Sequence, residues 1–404
     1  MTLSLEKAVE IVRENLGRSR VQPPLETVPL AEAGGRVLAA DVAADRDYPP
    51  FPRSARDGFA VRSEDIAAAP VTLECVGEIP AGGHFDGRLG PGQCISIMTG
   101  APAPEGAHAV VMVEHTRVEG ARVTLLKPVA AAENIVARGS EAAAGQRVLE
   151  RGRRLDAGSL ALLASIGVVK VPVFQRPEVA ILPTGDELVR ADEKPEWFQI
   201  RESNSYSLAA QVERAGGVPR VLGIAADDEL RLRNLITRGA ESRLLLLSGG
   251  VSAGKYDFVE KVLADLGSEF YFDSVAIRPG KPLVFGKLGE VFFFGLPGNP
   301  VSTYVTFELL VRPAISALAG AGFETPLVVG ARLARAVKRR EGLTAFVPAR
   351  VEYWAGAPEA APVAWQGSGD LVGLAAANCF LVIHPDREPP QAGEWVDVIL
   401  KSPA

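Results

Sequence analysis

The spacing of apolar positions changes along the chain and divides it into stretches of different texture. Leu5, Ala8, Val9, Val12 and Leu16 recur at helical spacing, with Gly17 behind them as a stop. From about Val42 to Pro128, short β-forming runs at 71–76, 94–98 and 109–113 alternate with Gly- and Pro-dense turns, which predicts a small β-rich domain. A helix near 159–166 and a Val-rich strand at 168–173 follow. From Glu178 to about Gly320 the texture alternates. Strands are expected at 179–182, 221–224, 244–247, 282–285 and 291–294. Helices are expected at 205–214, at 228–237 with Asp227 as its cap, around Val259 to Leu266, and at 301–318. The unbroken run Leu244, Leu245, Leu246 and Leu247 suits a parallel strand covered on both faces. Such alternation implies an open three-layer α/β domain with its ligands at the carboxyl ends of the strands. The tail from Leu327 to Leu400 returns to β-formers and reads as a separate small barrel or sandwich.

At 404 residues the chain is too long for one ordinary core, so it is multidomain. With 47% apolar and 23% charged residues it has globular composition, and a net charge of -6 offers no electrostatic footprint for nucleic acid. Cys75, Cys94 and Cys379 are odd in number and far apart in sequence, which excludes a disulfide framework and fits a reducing, cytoplasmic setting. Cys94 lies in an apolar run and reads as a buried inert thiol. No secretory leader pattern opens the sequence, and the longest uncharged stretch, 159–169, is too short to span a membrane.

Polar punctuation falls at the ends of the α/β strands. Thr184, Gly185, Asp186 and Glu187 follow the first strand, and Asp227 and Asp228 the second. Ser248, Gly249, Gly250, Val251 and Ser252 follow the third and run on to Asp257. Later come Arg278, Pro279, Gly280 and Lys281, then Leu296, Pro297, Gly298, Asn299, Pro300, Val301 and Ser302. Glycines let backbone N–H groups approach an anion, and helix N-termini favour negative charge. Arg278 and Lys281 add cations, while Glu187, Asp227 and Asp257 would repel one another unless a divalent ion sat among them. One such loop is usually only a turn, but five on one rim point to a phosphorylated anionic ligand with a metal ion.

These residues resemble the molybdopterin-binding domain shared by MoeA, MogA-type adenylyltransferases and gephyrin. Within that group, Ser54, Ala55, Arg56, Asp57, Gly58, Phe59 and Ala60 resemble a signature of the MoeA and gephyrin E-domain family. So do the run from Pro91 to Ala101, the run from Ala109 to Glu114, and Gln366, Gly367, Ser368 and Gly369. The resemblance implies an elongated α/β plus β chain in four parts. Residues 1–45 and 141–175 would form a discontinuous linker domain, with a β-rich domain, 46–140, inserted in it. Residues 176–322 would be the MogA-like domain and 323–404 a β-barrel. It further implies a molybdopterin molybdenumtransferase, which inserts molybdate into adenylylated molybdopterin with release of AMP and with Mg²⁺. The homodimer it implies would bring Asp57 and Thr99 of one copy to Glu187, Asp227, Asp257 and Lys281 of the other. Asp57, Glu187, Asp227 and Asp257 would be catalytic, the last three holding the metal. Thr99, Thr184, Gly185, Asp186, Ser248, Gly249, Gly250, Ser252, Arg278, Lys281, Pro297, Gly298, Asn299, Pro300 and Ser368 would bind substrate. A MogA-type adenylyltransferase would be the partner upstream.

This chain departs from the family pattern at Val136, where Arg is usual and Arg138 lies near, at Glu141 for Asp, at Arg278 for Lys and at Glu202 for Asp. Such changes bear on the preference for molybdate over tungstate. Two rival readings are an ATP-consuming adenylyltransferase and a non-catalytic scaffold. The signatures around Asp57 and Thr99 argue against the first, and the retained charged rim argues against the second.

Overall fold

The computed structural model describes residues 2–18, 23–225, 228–250, 258–337, 342–353 and 356–401. Asp227, Ser252 and Asp257 lie outside these described residues. Helix α1 (Leu5–Arg18) has the foreseen apolar face, and Ala8, Val12 and Leu16 are buried on it. That face joins the core of the α/β body and lies against a late helix there, so α1 belongs to that body by packing.

The β-rich stretch forms one six-stranded sheet. Its strands are β1 (Gly58–Val61), β2 (Val71–Ile79), β3 (Gln93–Ile97), β4 (Ala109–Met112), β5 (Thr116–Glu119) and β6 (Arg122–Leu125), in the order β4-β1-β3-β2-β6-β5. Apolar side chains pack on both of its faces in two clusters, one around Phe59 and Val111, the other around Ile95 and Val110. Cys94 is fully buried there, and burial pushes its thiol up to about 12. Three short antiparallel ladders tie the segment before this sheet to the segment after it. Leu25–Pro29 pairs with Lys170–Phe174, Val42–Ala43 with Arg147–Leu149, and Arg53–Ser54 with Ile135–Val136. Helix α2 (Ala157–Ser165) packs beside them; Asp156 caps it by accepting from Ser159 N at 2.8 Å.

The α/β body follows: β7 (Glu178–Pro183), α3 (Asn204–Arg214), β8 (Val218–Val221), α4 (Glu229–Gly239), β9 (Leu244–Ser248), α5 (Phe258–Asp265), β10 (Glu269–Ser274), β11 (Pro282–Leu288) and β12 (Val291–Leu296). Helix α6 (Pro300–Thr306) then runs through a π turn at Phe307–Val311 into α7 (Arg312–Leu318). The turn relieves Pro313, which lacks an N–H and would clash with the preceding turn of a regular helix. The sheet order is β8-β7-β9-β12-β11-β10. All five residues of β9 are buried. Each leucine there contributes about 1.5–3 kcal/mol of apolar burial.

Three details differ from the sequence reading. The second strand is Val218–Val221 and not 221–224, because pairing with β7 begins directly after the turn at Gly216 and Gly217. Pro219 is tolerated because β8 is an edge strand. Asp228, not Asp227, caps α4, accepting from Arg231 N at 2.7 Å. The sheet is mixed: β11 runs antiparallel to both β12 and β10.

The tail closes into a barrel. Strands β13 (Val328–Leu333), β14 (Thr344–Glu352), β15 (Glu359–Pro362), β16 (Cys379–Ile383) and β17 (Trp395–Leu400) pair in the cycle β14-β15-β13-β17-β16, and β16 returns to β14. Helix α8 (Leu371–Ala376) sits outside it. Barrel and α/β body share a core, in which Phe346, Phe380, Val382 and Ile399 meet Tyr304 and Phe307. Lys401 Nζ donates to Leu374 O at 2.8 Å and sits 5.1 Å from the Tyr304 ring; burial lowers its pKa.

Candidate active-site cleft

The parallel strands β7, β9 and β12 end on one edge of the α/β sheet, and the antiparallel β11 begins there. The loops after β7, β9 and β12 and the loop before β11 therefore meet on one rim. Between them and the barrel lies a cleft of about 820 Å³. It is lined by Thr184, Gly185 and Glu187, by Ser248, Gly249 and Gly250, by Arg278 and Lys281, by Pro297, Gly298, Asn299 and Pro300, and by Ser368. Asp186 is exposed beside these residues and does not line the cleft.

Each wall is fixed by backbone bonding. Thr184 N donates to Ser248 O at 2.9 Å, Gly185 N to Ala225 O at 3.2 Å and Gly249 N to Leu296 O at 3.1 Å. Gly249 and Gly250 take φ of +94° and +64°, which brings their backbone against Thr184. Thr184 is 3% exposed, and its hydroxyl has no hydrogen-bond partner among the described residues. The cationic loop is braced from two sides. Val275 N donates to Lys281 O at 3.0 Å and Ala276 N to Leu3 O at 2.7 Å, while Ile277–Arg278 pairs in parallel with the start of β14. The barrel loop is docked by Val301 N, which donates to Ser368 O at 2.9 Å. Lys281 is exposed and Arg278 half-buried, so both can meet a solvated anion. The Glu187 carboxylate folds back over Gly185, where an added Cβ would fall 2.5 Å from its Oε2.

Asp57 and Thr99 do not line this cleft in their own chain. They stand together on the β-rich lobe, where Thr99 donates to Asp57 Oδ1 from its hydroxyl and from its N–H, each at 2.7 Å. The hydroxyl first, and then the N–H, hold the Asp57 carboxyl below its usual range. A depressed folded-state pKa stabilises the fold above the ordinary carboxylate value, and that contribution is lost as pH falls through the folded value. Asp57 is therefore ionised at neutral pH. In Thr99→Val the carboxyl pKa is expected to rise toward its ordinary value, read by carboxyl-carbon NMR titration; an unmoved value would remove the hydroxyl as the cause. Arg138, two residues after the Val136 departure, donates from its Nε to Asp47 Oδ2 at 2.7 Å. Glu141 accepts from Arg53 at 2.7 Å.

Among the described residues no cluster of three or more His, Cys, Asp or Glu side chains could hold a metal ion. Of the three expected carboxylates, Glu187 alone lies among the described residues. Hard-oxygen chemistry still fits, since Mg²⁺ is commonly held by one or two carboxylates together with substrate phosphates and water. Glu202, read in the sequence only as a departure from the family pattern, lines the cleft together with Asn204, which is not among the expected binding residues, and Leu343 and Leu371 add an apolar wall from the barrel side. The polar run Glu202, Ser203, Asn204 and Ser205 carried the signal for the first two. No helix among the described residues is long and apolar enough to cross a membrane.

Comparison with known proteins gives three matches in chain order. Residues 3–167 match the MoeA N-terminal region (domain I and II), 180–317 a probable molybdopterin binding domain, and 330–401 the MoeA C-terminal region (domain IV). The molybdopterin molybdenumtransferase of Bacillus subtilis is 36% identical over 389 residues, 94% of this chain and 90% of that protein. The one from a Nostoc species is 42% identical over 307 residues, 74% of this chain and 70% of its own length. The crystal structure of the molybdopterin biosynthesis moeA protein from Pyrococcus horikoshii OT3 superposes with a TM-score of 0.79 at 32% identity, covering 99% of this chain and 100% of that one. Its barrel, its mixed-sheet body and its β-rich lobe are thus parts of one known plan, and the chain belongs to the MoeA family.

Proposed function

We propose that this chain is a molybdopterin molybdenumtransferase of molybdenum cofactor biosynthesis. It takes adenylylated molybdopterin and molybdate, releases AMP, and works in the cytoplasm as a homodimer supplied by a MogA-type adenylyltransferase. The observation that carries the reading is the single cleft in which glycine loops, Arg278, Lys281 and Glu187 share one rim with Ser368 of the barrel.

Two transformations make up the reaction. One P–O bond of the pyrophosphate link breaks as water delivers its oxygen to one phosphorus, leaving AMP and the pterin phosphate. Two dithiolene sulfurs bond to molybdenum, and their protons leave with one molybdate oxygen as water. Lys281 and Arg278 hold the phosphates and the oxyanion against each other, so that proximity supplies much of the rate. The backbone at Gly249, Gly250 and Gly298 lets these anions approach without side-chain obstruction. A Mg²⁺ bound by Glu187 and the phosphates would neutralise charge at the breaking bond. Asp57 comes from the second copy, where Thr99 fixes its carboxylate as an acceptor facing outward. Tungstate shares the charge and shape of molybdate and is an alternative oxyanion for the same pocket.

The test is subunit mixing. Asp57→Asn and Lys281→Ala should each cut AMP release to about 1% of wild type with Mg²⁺ and molybdate present. Mixed and re-equilibrated, they should recover about a quarter of wild-type activity, because half of the dimers are mixed and each carries one intact site. No recovery, with mixed dimers shown by mass, would overturn the shared site; absence of AMP release from the wild type would overturn the activity itself.

A further inference from the structure

Asn204 opens α3, and its side-chain amide spans two of the loops that frame the cleft. Nδ2 donates to Ser248 Oγ at 2.9 Å and to Gly298 O at 2.7 Å. Ser248 ends β9 and leads into Gly249 and Gly250, while Gly298 sits in the loop after β12. The two loops already touch, since a Cβ built on Gly298 would lie 3.6 Å from Gly249 Cα. Both amide hydrogens of Asn204 are thus spent on joining them. Glu202 sets where that amide stands. Its buried carboxylate accepts from Ser205 N at 2.7 Å and from the Ser205 hydroxyl, and its own N–H donates to Val189 O at 2.9 Å.

We propose that Asn204 is a positioning residue that holds the Gly249–Gly250 loop and the Pro297–Gly298 loop in register, so that their backbone meets the anionic ligand as one surface. The inference rests on the transferase reading above and concerns how its cleft is held in shape. It separates geometry from stability. Bridging the two loops requires a donor toward the Gly298 carbonyl, which neither alanine nor aspartate supplies; aspartate can still accept from the Ser248 hydroxyl but sets a carboxylate against that carbonyl oxygen. Aspartate at the first turn of a helix nevertheless favours the helix through its dipole. Activity and stability should therefore rank the two variants in opposite orders.

In Asn204→Ala the KM for adenylylated molybdopterin is expected to rise about tenfold with kcat changed less than threefold; in Asn204→Asp the rise is about a hundredfold, as a carboxylate faces the Gly298 carbonyl. The Tm of the aspartate variant should equal or exceed that of the alanine variant. Amide exchange at Gly249, whose N–H bonds to Leu296 O, should be faster in both variants than in wild type. An aspartate variant more active than the alanine variant, or Gly249 exchange left at the wild-type rate, overturns the proposal. If wild-type protein releases no AMP, the transferase reading has failed, and Gly249 exchange still decides the role of Asn204.

Discussion

Replacing Lys281 by alanine is expected to lower kcat/KM for the adenylylated pterin by about a hundredfold, the usual cost of deleting a donor aimed at developing negative charge. Lys281 is exposed at the edge of the cleft, so its removal leaves no buried cavity and, among the described residues, no orphaned side-chain partner. Its loop is held by main-chain bonds at Val275, Ala276 and the strand pair with β14, none of which uses the side chain. The fold should keep its melting temperature while activity falls, which separates chemistry from stability. Lys281→Arg should recover only part of the loss, since a planar fork cannot take the place of a compact ammonium. The steady-state assay follows AMP release across substrate concentrations at two ionic strengths. An alanine variant within threefold of wild type would remove Lys281 from the site.

The second large effect is at Gly249. Here φ is +94°, and a Cβ would stand 2.4 Å from Thr184 O. Valine must therefore adopt a backbone conformation that costs about 1–3 kcal/mol and also push two strand ends apart. The strain is local to the rim, because β9 itself is buried and paired on both sides. Gly249→Val should melt a few degrees lower and retain less than about 1% of wild-type turnover, a displacement of the site outweighing the loss of stability. Thermal melting with the AMP assay checks both halves. Full activity with lowered stability would mean that this loop does not touch the ligand.

Much of this cleft was legible before any coordinates. Strand and helix periods placed the α/β body, and the polar runs at 184–187, 248–250, 278–281 and 297–300 fell where strands should end. What the pattern could not carry was direction and closure. Strand β11 reaches the rim with its first residue because it forms a hairpin with β12, in which Leu288 faces Val291 across Gly289 and Glu290. Two-residue loops of that kind signal a reversal, and the apolar run on either side hid it. Strand β10 was missed because, at the edge, only Phe272 of its six residues is buried, leaving no continuous apolar run to notice. Barrel and sandwich share the same alternation, and only the return of β16 to β14 separates them. Asn204 reads locally as a helix-start residue; its partners lie 44 and 94 residues away, beyond the reach of periodicity.

Pro219 has a role beyond being tolerated. Val218 N and Leu222 N both donate inward to the β7 side, to Pro177 O and Ile181 O, so by the alternation of a strand residues 219 and 221 face outward. One of those two outward positions, at residue 219, has no hydrogen to give. A stray strand approaching this flank would find one of its two backbone donors missing, so the sheet carries its own guard against edge-to-edge aggregation.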